Sequence, residues 1–330
     1  MSRITILGAG AWGTALAISL ARRGGHEIRL WSHSAALTDQ IHDTGTNEQF
    51  LPGSIVPMDV SVTSDIARAV FEAEIILCVT PSEYLRGIFG NIAPVLDRDQ
   101  IIVSATKGLE EGTLLRMSQV LASMTSNPIA VLSGPSFAAE VAQGVPTAIV
   151  AASGAPGVAQ TIQKEFSSGS LRLYTNDDVA GVELGGALKN VIALAAGVVN
   201  GLELGHNSAA ALITRGIAEI TRLAVACGGR RQTLAGLSGV GDLVLTCTGS
   251  LSRNRTVGME LGKGRALPEI LREMNGKVAE GIRSTSAALG LASRYGVEMP
   301  ITDQMHAILH ERKSPKEAIR ELMARPGRDE

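Results

Sequence analysis

The sequence predicts a protein of the α/β class, in which a doubly wound sheet is followed by an all-α C-terminal domain. Two observations predict this order. Short apolar runs alternate with helical stretches up to about residue 176, and long Ala-, Leu- and Gly-rich helical stretches follow. The chain has 330 residues, which is more than one ordinary core needs. We therefore expect one domain over residues 1–176 and a second over residues 177–330.

Apolar runs in the first half have the length and composition of buried strands. Ile4–Leu7 ends at Gly8 and is apolar enough to be buried on both faces. The later runs are Glu27–Trp31, Val60–Val62, Glu74–Val79, Gln100–Val103, Ile129–Leu132, Thr147–Ala152 and Leu171–Tyr174. Alternation with helical or loop segments predicts parallel strands with right-handed crossovers, and the last two strands extend the sheet.

Helices are predicted where apolar residues recur at helical spacing. The first covers Ala11–Arg23 and has Gly24-Gly25 as its C-cap. In the second half the helical stretches are Asp177–Asn200, Ser208–Cys227 and Ser284–Tyr295. The apolar segment Val191–Val199 is too short to span a bilayer, and the N-terminal segment lacks a signal-peptide pattern. We therefore expect a soluble cytoplasmic protein without membrane insertion.

Composition excludes several classes of partner. Hydrophobic residues make up 45% and charged residues 19%, and the net charge of −2 gives no field that attracts nucleic acid or an acidic membrane. An anionic ligand must therefore meet a local basic cluster. Cys78, Cys227 and Cys247 lack metal-ligand spacing and are expected to be reduced and mostly buried, so no metal site is expected.

A Gly-rich turn joins the first strand to the first helix. Gly8, Gly10 and Gly13 match G-x-G-x-x-G in a context typical of a Rossmann-type dinucleotide site. Gly8 permits the tight turn, Gly10 lets the backbone approach a pyrophosphate, and Gly13 allows close helix–strand packing. The anion would meet unpaired N–H groups at the positive end of the helix dipole. The alternative is a Gly-rich turn without a ligand.

The residues after the second strand bear on the choice of dinucleotide. Trp31-Ser32-His33 stands where an acidic residue would bind the adenosine ribose and repel a 2′-phosphate. The absence of that acid admits NADP, with His33 as a candidate phosphate contact. Arg29 is a weaker candidate because it is expected to point into the sheet layer. NADPH is therefore favoured, although NAD stays open.

Two lysines stand out against their surroundings. Lys107 follows the fifth strand, and the carboxyl ends of parallel strands are where such sheets bind ligands. Lys189 interrupts an apolar helix, and Glu183 is too distant along it for a simple i,i+4 pair. A buried lysine is costly unless it is paired or deprotonated, and such a lysine suits general acid–base work. The alternatives are a solvated surface lysine at 107 and a snorkelling core lysine at 189.

A third polar segment lies further along the second half. Gly-rich turns around Leu237–Leu243 bring Asp242 close in sequence to Ser252, Arg253 and Asn254. An arginine beside serine and asparagine donors is a natural phosphate clamp. The alternative is an exposed basic loop.

Taken together, these motifs resemble one family. The segments GAGAWGTALA (8–17), Thr106-Lys107-Gly108, SGPSFA (133–138), ALKN (187–190) and LSGVGDLVLTCTGSLSRN (237–254) resemble the bacterial-type NAD(P)-dependent glycerol-3-phosphate dehydrogenases, in the same order. The resemblance implies reduction of dihydroxyacetone phosphate to sn-glycerol 3-phosphate, the backbone precursor of phospholipids. It also implies a cytoplasmic homodimer.

The resemblance assigns roles to residues one by one. Lys189 corresponds to the catalytic proton donor and acceptor, and Lys107 would touch both cofactor and substrate. The implied substrate contacts are Lys107, Gly134, Ser136, Lys189, Asp242, Ser252, Arg253 and Asn254. The implied cofactor contacts are Gly8, Gly10, Ala11, Trp12, Gly13, His33, Lys107, Ala138, Arg253, Val278 and Glu280. Where the family often has Ser, this chain has Ala11, whose backbone N–H can still serve.

Two other readings of the motifs stay open at this point. One is another two-domain reductase, acting on a 3-hydroxyacid, 6-phosphogluconate or ketopantoate, since a carboxylate substrate also needs a basic clamp. The other is a non-catalytic NAD(P) sensor, which would have no need of a buried proton donor at Lys189.

Overall fold

The computed structural model describes residues 1–274 and 279–327, so Val278 lies outside the described residues. The chain forms two compact units, which do not follow the chain order strictly. The first comprises residues 1–110 and 115–183, and the second comprises residues 111–114 and 184–330.

The first unit contains a twisted sheet of eight strands and a separate two-stranded hairpin. In chain order the strands are β1 (Ser2–Leu7), β2 (His26–Trp31), β3 (Thr46–Asn47), β4 (Leu51–Ile55), β5 (Val60–Thr63), β6 (Ile75–Cys78), β7 (Ile101–Ser104), β8 (Ile129–Ser133), β9 (Thr147–Ala152) and β10 (Leu171–Asn176). The sheet order is β10-β9-β8-β7-β6-β1-β2-β5, and β3 pairs only with β4. All eight predicted strands are confirmed. The hairpin was not predicted.

The prediction of a wholly parallel sheet was wrong at one position. β9 runs antiparallel to β8, while β10 runs parallel to β9. The connection from β8 to β9 holds only the short helix Ala138–Gln143, which ends at Gly144 with φ of 79° and turns the chain back beside β8. The sheet is therefore mostly parallel, and its last two strands run against the rest.

Helices cover both faces of this sheet. They are α1 (Ala11–Arg23), α2 (Ala35–Thr44), α3 (Ile66–Val70), α4 (Ser82–Ile92), α5 (Met117–Ala122), α6 (Ala138–Gln143) and α7 (Val158–Phe166). Ile6 and Leu7 are consecutive and point to opposite faces, yet they are 0% and 1% exposed. Burial on both faces explains why β1 reads as a continuous apolar run. Gly24 ends α1 with φ of 74°, as predicted.

The sheet changes winding direction at β1. The chain moves from β1 to β2 and β5 on one side, and then crosses back to β6, β7 and β8 on the other. Because these strands are parallel, their carboxyl ends share one edge. Ligands of open α/β sheets bind at such a switch point.

The described part of residues 184–327 holds helices and no strand. After α8 (Val179–Gly201), which begins in the first unit, the helices are α9 (Gly205–Ala226), α10 (Arg231–Leu234), α11 (Asp242–Thr248), α12 (Arg253–Gly262), α13 (Leu267–Glu273), α14 (Glu280–Tyr295), α15 (Pro300–His310) and α16 (Pro315–Met323). The three predicted helices of this half are confirmed. The predicted Gly-rich turns were wrong: Leu237–Gly241 is a π-helical turn that leads into α11.

The helix α8 is long and strongly apolar. This helix of 23 residues is long and apolar enough to cross a membrane, judged by length and composition alone. The apolar segment Val191–Val199 that was identified in the sequence is only part of it. Its most apolar 18-residue window is completely buried inside the protein. The core helix of a folded domain has the same composition because it is also surrounded by apolar side chains.

Glycines let α12 pack directly against α8. A Cβ at Gly258 would lie 1.9 Å from the Leu194 carbonyl oxygen, and one at Gly197 would lie 2.1 Å from the Arg255 carbonyl oxygen. No larger side chain fits at either position without moving a backbone. The close crossing places the N-terminus of α12 near the middle of α8.

Candidate active site

The turn between β1 and α1 has the geometry expected of a dinucleotide turn. Gly8 has φ of 123°, and a Cβ there would lie 2.9 Å from the Val79 carbonyl oxygen. A Cβ at Gly13 would lie 1.9 Å from the Gly8 carbonyl oxygen, so only glycine lets α1 start this close to the turn. A Cβ at Gly10 would meet nothing within 4 Å, and no side chain caps α1. The turn therefore fits a pyrophosphate, whose oxygens need open backbone N–H groups.

Further candidate residues gather at the carboxyl edge of the same sheet. Lys107, after β7, donates from Nζ to the Gly134 carbonyl oxygen after β8, over 3.4 Å. Ser136 Oγ donates to the same oxygen over 3.0 Å. Gly134 has φ of 137°, and a Cβ there would lie 3.0 Å from Ile149 Cα. The half-buried Lys107 is thus held in a polar cluster, unlike a solvated surface lysine, and Ala138 begins α6 beyond it.

The segment after β2 carries no acidic side chain. His33 is exposed, and Ser34 caps α2 by accepting a hydrogen bond from Leu37 N over 3.2 Å. Arg29 does not reach this segment. Its guanidinium donates to Glu27 of the same strand and to the carbonyl oxygen of Phe71, the residue after α3. This position agrees with the prediction that Arg29 is a weaker candidate than His33 for a phosphate contact.

In the second unit, Lys189 of α8 forms an ion pair with Asp242 of α11. Their side chains are 8% and 0% exposed. Thr246 Oγ1 donates to the Asp242 carbonyl oxygen over 2.6 Å and holds the first turn of α11. The lysine is therefore paired as well as buried, and it does not snorkel to the surface. Sequence reasoning had placed Asp242 only in the phosphate clamp.

Glu183, on the same helix, has other partners. Its carboxylate accepts hydrogen bonds from Ser118 N over 2.8 Å and from Ser118 Oγ over 2.6 Å, and it forms an ion pair with Arg116. Glu183 therefore binds Ser118 and Arg116, in agreement with the prediction that it is too distant along the helix for a simple pair with Lys189.

Asn190, next to Lys189, links α8 to two other helices. Asn254 of α12 donates from Nδ2 to Asn190 Oδ1 over 3.0 Å, and Asn190 Nδ2 donates to Glu280 Oε2 over 3.3 Å. Asn254 Oδ1 in turn accepts from Gly281 N over 3.0 Å. One turn of α8 thus brings together Asp242, Asn254 and Glu280. Asn190 was not among the predicted site residues, although the ALKN motif contains it.

The predicted clamp residues lie at a helix N-terminus. Ser252 Oγ accepts a hydrogen bond from Arg255 N over 3.3 Å and so caps α12. Ser252 and Asn254 are buried, whereas Arg253 between them is exposed. The alternative of an exposed basic loop therefore fails for Ser252 and Asn254. Val278, the remaining predicted cofactor contact, lies outside the described residues.

Each of the two units contains one cysteine with a buried thiol group. Cys78 at the end of β6 and Cys247 in α11 are buried, as expected from the sequence. Burial raises the pKa of each thiol to about 12. Neither thiol is therefore a nucleophile at neutral pH, even though Cys247 lies near the charge of Lys189.

Comparison with known proteins decides the family. The family model for the N-terminus of NAD-dependent glycerol-3-phosphate dehydrogenase matches residues 3–159, and the model for its C-terminus matches residues 178–320. The chain belongs to the NAD-dependent glycerol-3-phosphate dehydrogenase family. The resemblance seen in the motifs is confirmed, together with the α/β sheet and the helical C-terminal part.

Relatives within the family match along their whole length. The Glycerol-3-phosphate dehydrogenase [NAD(P)+] of Acidobacterium capsulatum is 61% identical over 338 residues, covering 100% of both chains. The protein of that name from Koribacter versatilis is 59% identical, covering 100% of this chain and 99% of the relative. The crystal structure of glycerol-3-phosphate dehydrogenase from Coxiella burnetii has a TM-score of 0.94 at 41% identity, covering 98% of this chain and 99% of the other.

Proposed function

We propose that this chain interconverts dihydroxyacetone phosphate and sn-glycerol 3-phosphate with NAD(P)H, and so supplies glycerol 3-phosphate for phospholipids. The close relatives are named Glycerol-3-phosphate dehydrogenase [NAD(P)+]. The observation that carries the proposal is the buried contact between Lys189 and Asp242. A lysine held charged by a carboxylate is a proton donor suited to a ketone, and the family identifies that ketone as a triose phosphate.

The proposed chemistry needs a proton at one oxygen of the substrate. The ketone carbon would receive its hydride from the nicotinamide of NAD(P)H when that cofactor is bound. Lys189 Nζ donates a proton to the ketone oxygen as negative charge develops there, and accepts it back in the reverse direction. Asp242 keeps Lys189 charged and oriented, while Lys107 stabilises negative charge near the reacting carbonyl.

The proposed cofactor contacts begin at the turn after β1. The backbone of Gly8, Gly10, Ala11, Trp12 and Gly13 would hold the pyrophosphate, which the uncapped N-terminus of α1 and the open space beside Gly10 support. The further proposed cofactor contacts, which the family resemblance implies, are His33, Lys107, Ala138, Arg253, Val278 and Glu280.

NADPH is the proposed preferred cofactor. The exposed His33 stands beside the N-terminus of α2, where an acidic residue would have repelled a 2′-phosphate. The first turn of α2 holds no acidic residue either, so the positive end of its dipole favours a phosphate there. Both observations support NADPH over NADH.

The proposed substrate contacts come from the polar clusters described above. They are Lys107, Gly134, Ser136, Lys189, Asp242, Ser252, Arg253 and Asn254. The exposed guanidinium of Arg253 at the first residue of α12 suits the phosphate of the substrate, because a helix N-terminus and an arginine both favour an anion. Since the Asn254 amide already bonds Asn190 and Gly281, it would serve the substrate mainly by fixing that N-terminus.

The two proposed roles, cofactor binding and proton donation, are assigned to the two domains expected from the sequence. Residues 1–176 would bind the dinucleotide, and residues 177–330 would carry the proton donor and the phosphate clamp. We further propose that the enzyme acts in the cytoplasm as a homodimer, as the resemblance implies.

Initial rates of NADPH and NADH oxidation test the proposal. Dihydroxyacetone phosphate is compared with the ketones oxaloacetate and ketopantoate at equal concentrations. The hydroxy acid 6-phosphogluconate is tested in the opposite direction, by the reduction of NADP+ or NAD+. We expect turnover with dihydroxyacetone phosphate alone, and faster turnover with NADPH than with NADH. Turnover with one of the carboxylates instead would favour another reductase. NADPH binding without turnover of any substrate would favour a sensor.

A further inference from the structure

Asn47 is an amide buried beneath the dinucleotide turn, at the end of the short strand β3. It is 0% exposed. Its Nδ2 donates to the Ala9 carbonyl oxygen over 2.9 Å and to Thr14 Oγ1 over 2.8 Å. Its Oδ1 accepts from Phe50 N over 3.2 Å. Both N–H groups and the oxygen of the side chain are therefore used, which is the fully satisfied state that a buried amide needs.

The bond to Ala9 fixes the direction of the next N–H group. The Ala9–Gly10 peptide is trans, so its carbonyl and its N–H point in opposite directions. Asn47 holds the carbonyl oxygen towards the protein interior, and the N–H of Gly10 must then point away from it. The backbone of Gly10 can also be approached closely from its Cα, since a Cβ there would meet nothing within 4 Å.

The bond to Thr14 ties the same amide to the helix that follows. Thr14 Oγ1 also donates to the Ala9 carbonyl oxygen over 3.4 Å, and Thr14 N donates to the Gly10 carbonyl oxygen over 3.0 Å. Asn47 therefore holds the turn and the first turn of α1 in one geometry.

We propose that Asn47 is a positioning residue for the cofactor, which sets the Gly10 N–H at the angle that a pyrophosphate oxygen requires. It does not touch the cofactor itself. The proposal rests on the proposed function for the nature of the ligand. Its physical basis is preorganisation: a donor already fixed in its bound direction loses no further freedom when the anion binds.

Asn47→Asp is the direct test, because it keeps the shape and the acceptor for Phe50 N but removes both donated bonds. Asn127→Asp is the matched control. Asn127 is also buried, and its Nδ2 donates to the carbonyl oxygens of Asp97 and Gln100 over 2.7 and 2.9 Å, at the opposite edge of the sheet. Both variants replace an amide that bonds backbone carbonyls, so both are expected to lower Tm.

Two measurements separate positioning from stability. The Kd of NADPH is measured by quenching of the Trp12 and Trp31 fluorescence, below the Tm of each variant. We expect Asn47→Asp to raise the Kd and the KM for NADPH at least tenfold. It should leave kcat at saturating NADPH within threefold of wild type. Asn127→Asp should leave the Kd within twofold.

A Kd within twofold of wild type for Asn47→Asp would overturn the proposal, as would an equal rise for Asn127→Asp. If Asn47→Asp does not fold, Thr14→Val removes one partner of the amide and keeps the β-branched shape. It should raise the Kd about threefold or more, and an unchanged Kd would overturn the proposal. The proposed function fails separately, if the wild-type chain binds no NADPH or does not turn over dihydroxyacetone phosphate.

Discussion

The carboxylate of Asp242 holds the ammonium group of Lys189 where both side chains are almost completely excluded from water. A buried ammonium without a counter-charge would lose its proton or destabilise the fold. The pair joins α8 and α11, which meet only through folding because the two residues are 53 positions apart. Asp242 is therefore as important to the proposed proton transfer as the lysine.

Asp242→Asn tests this dependence. The buried ammonium loses the counter-charge of Asp242, so we expect kcat to fall by about 10²–10⁴ and the free energy of unfolding to fall by about 3–5 kcal/mol. Activity at saturating substrate and urea denaturation measure the two effects. Glu219→Gln is the control. It neutralises another buried carboxylate of the same unit, which accepts from Ile301 N over 2.9 Å, and should lower stability without this loss of kcat. Wild-type kcat in Asp242→Asn would contradict the account.

His33→Asp tests the proposed cofactor preference. A carboxylate at this position would repel a 2′-phosphate and could bind a ribose hydroxyl instead. We expect kcat/KM with NADPH to fall about tenfold to hundredfold, and kcat/KM with NADH to stay within threefold. Equal losses with both cofactors would show that position 33 does not distinguish them.

Gly258→Ala tests the close crossing of α8 and α12. A methyl group there would lie 1.9 Å from the Leu194 carbonyl oxygen, so the helices must separate. We expect a loss of about 1–3 kcal/mol in the free energy of unfolding. Gly87→Ala in α4 is the matched change, since a Cβ at Gly87 meets nothing within 4 Å. It should add about 0.5–1 kcal/mol, because alanine favours a helix more than glycine does. If Gly258→Ala and Gly87→Ala changed the free energy of unfolding in the same direction, the close packing of α8 against α12 would not explain the glycine at position 258.

His26 predicts a dependence of stability on pH. Burial lowers its pKa below the ordinary 6.5; the Glu165 carbonyl opposes this shift and the charge of Arg23 adds to it. Arg23 Nη1 and the Glu165 carbonyl oxygen lie 2.8 Å and 3.0 Å from His26 Nε2. The unfolded chain therefore binds a proton at higher pH than the folded protein does. The free energy of unfolding should fall as pH decreases below about 6.5.

Urea denaturation at pH 7.5, 6.5 and 5.5 measures this dependence. The decrease should be smaller in His26→Gln than in wild type, whereas His206→Gln, at an exposed histidine, should follow wild type. Parallel curves for wild type and His26→Gln would assign the decrease to other groups.

The sheet and the dinucleotide turn could be predicted because their signals are local. The apolar run Ile4–Leu7 predicts a buried strand without reference to any other segment. A Cβ at Gly8 or Gly13 would contact backbone atoms of the same turn or next to the adjoining strand. The direction of β9 could not be predicted in this way. Apolar patterning identifies a strand but not the direction in which the chain returns to it.

The partners of the site residues could not be predicted because they come from distant segments. Lys189 reads as a buried lysine in need of a partner, yet nothing in the sequence singles out Asp242 among the acidic residues. The glycines before Asp242 suggested turns, but Gly239 lies there because a Cβ would be 1.9 Å from the Leu234 carbonyl oxygen. Asn47 gave no signal, because its role depends on a hairpin that folds beneath the turn.

The most direct measurement compares wild type with Lys189→Ala for the reduction of dihydroxyacetone phosphate by NADPH, with the Kd of NADPH measured on both. Without its proton donor the variant should lose turnover by about 10²–10⁴, while the Kd stays within threefold because the dinucleotide turn is unchanged. Turnover close to wild type in Lys189→Ala would contradict the assignment of Lys189 as the proton donor.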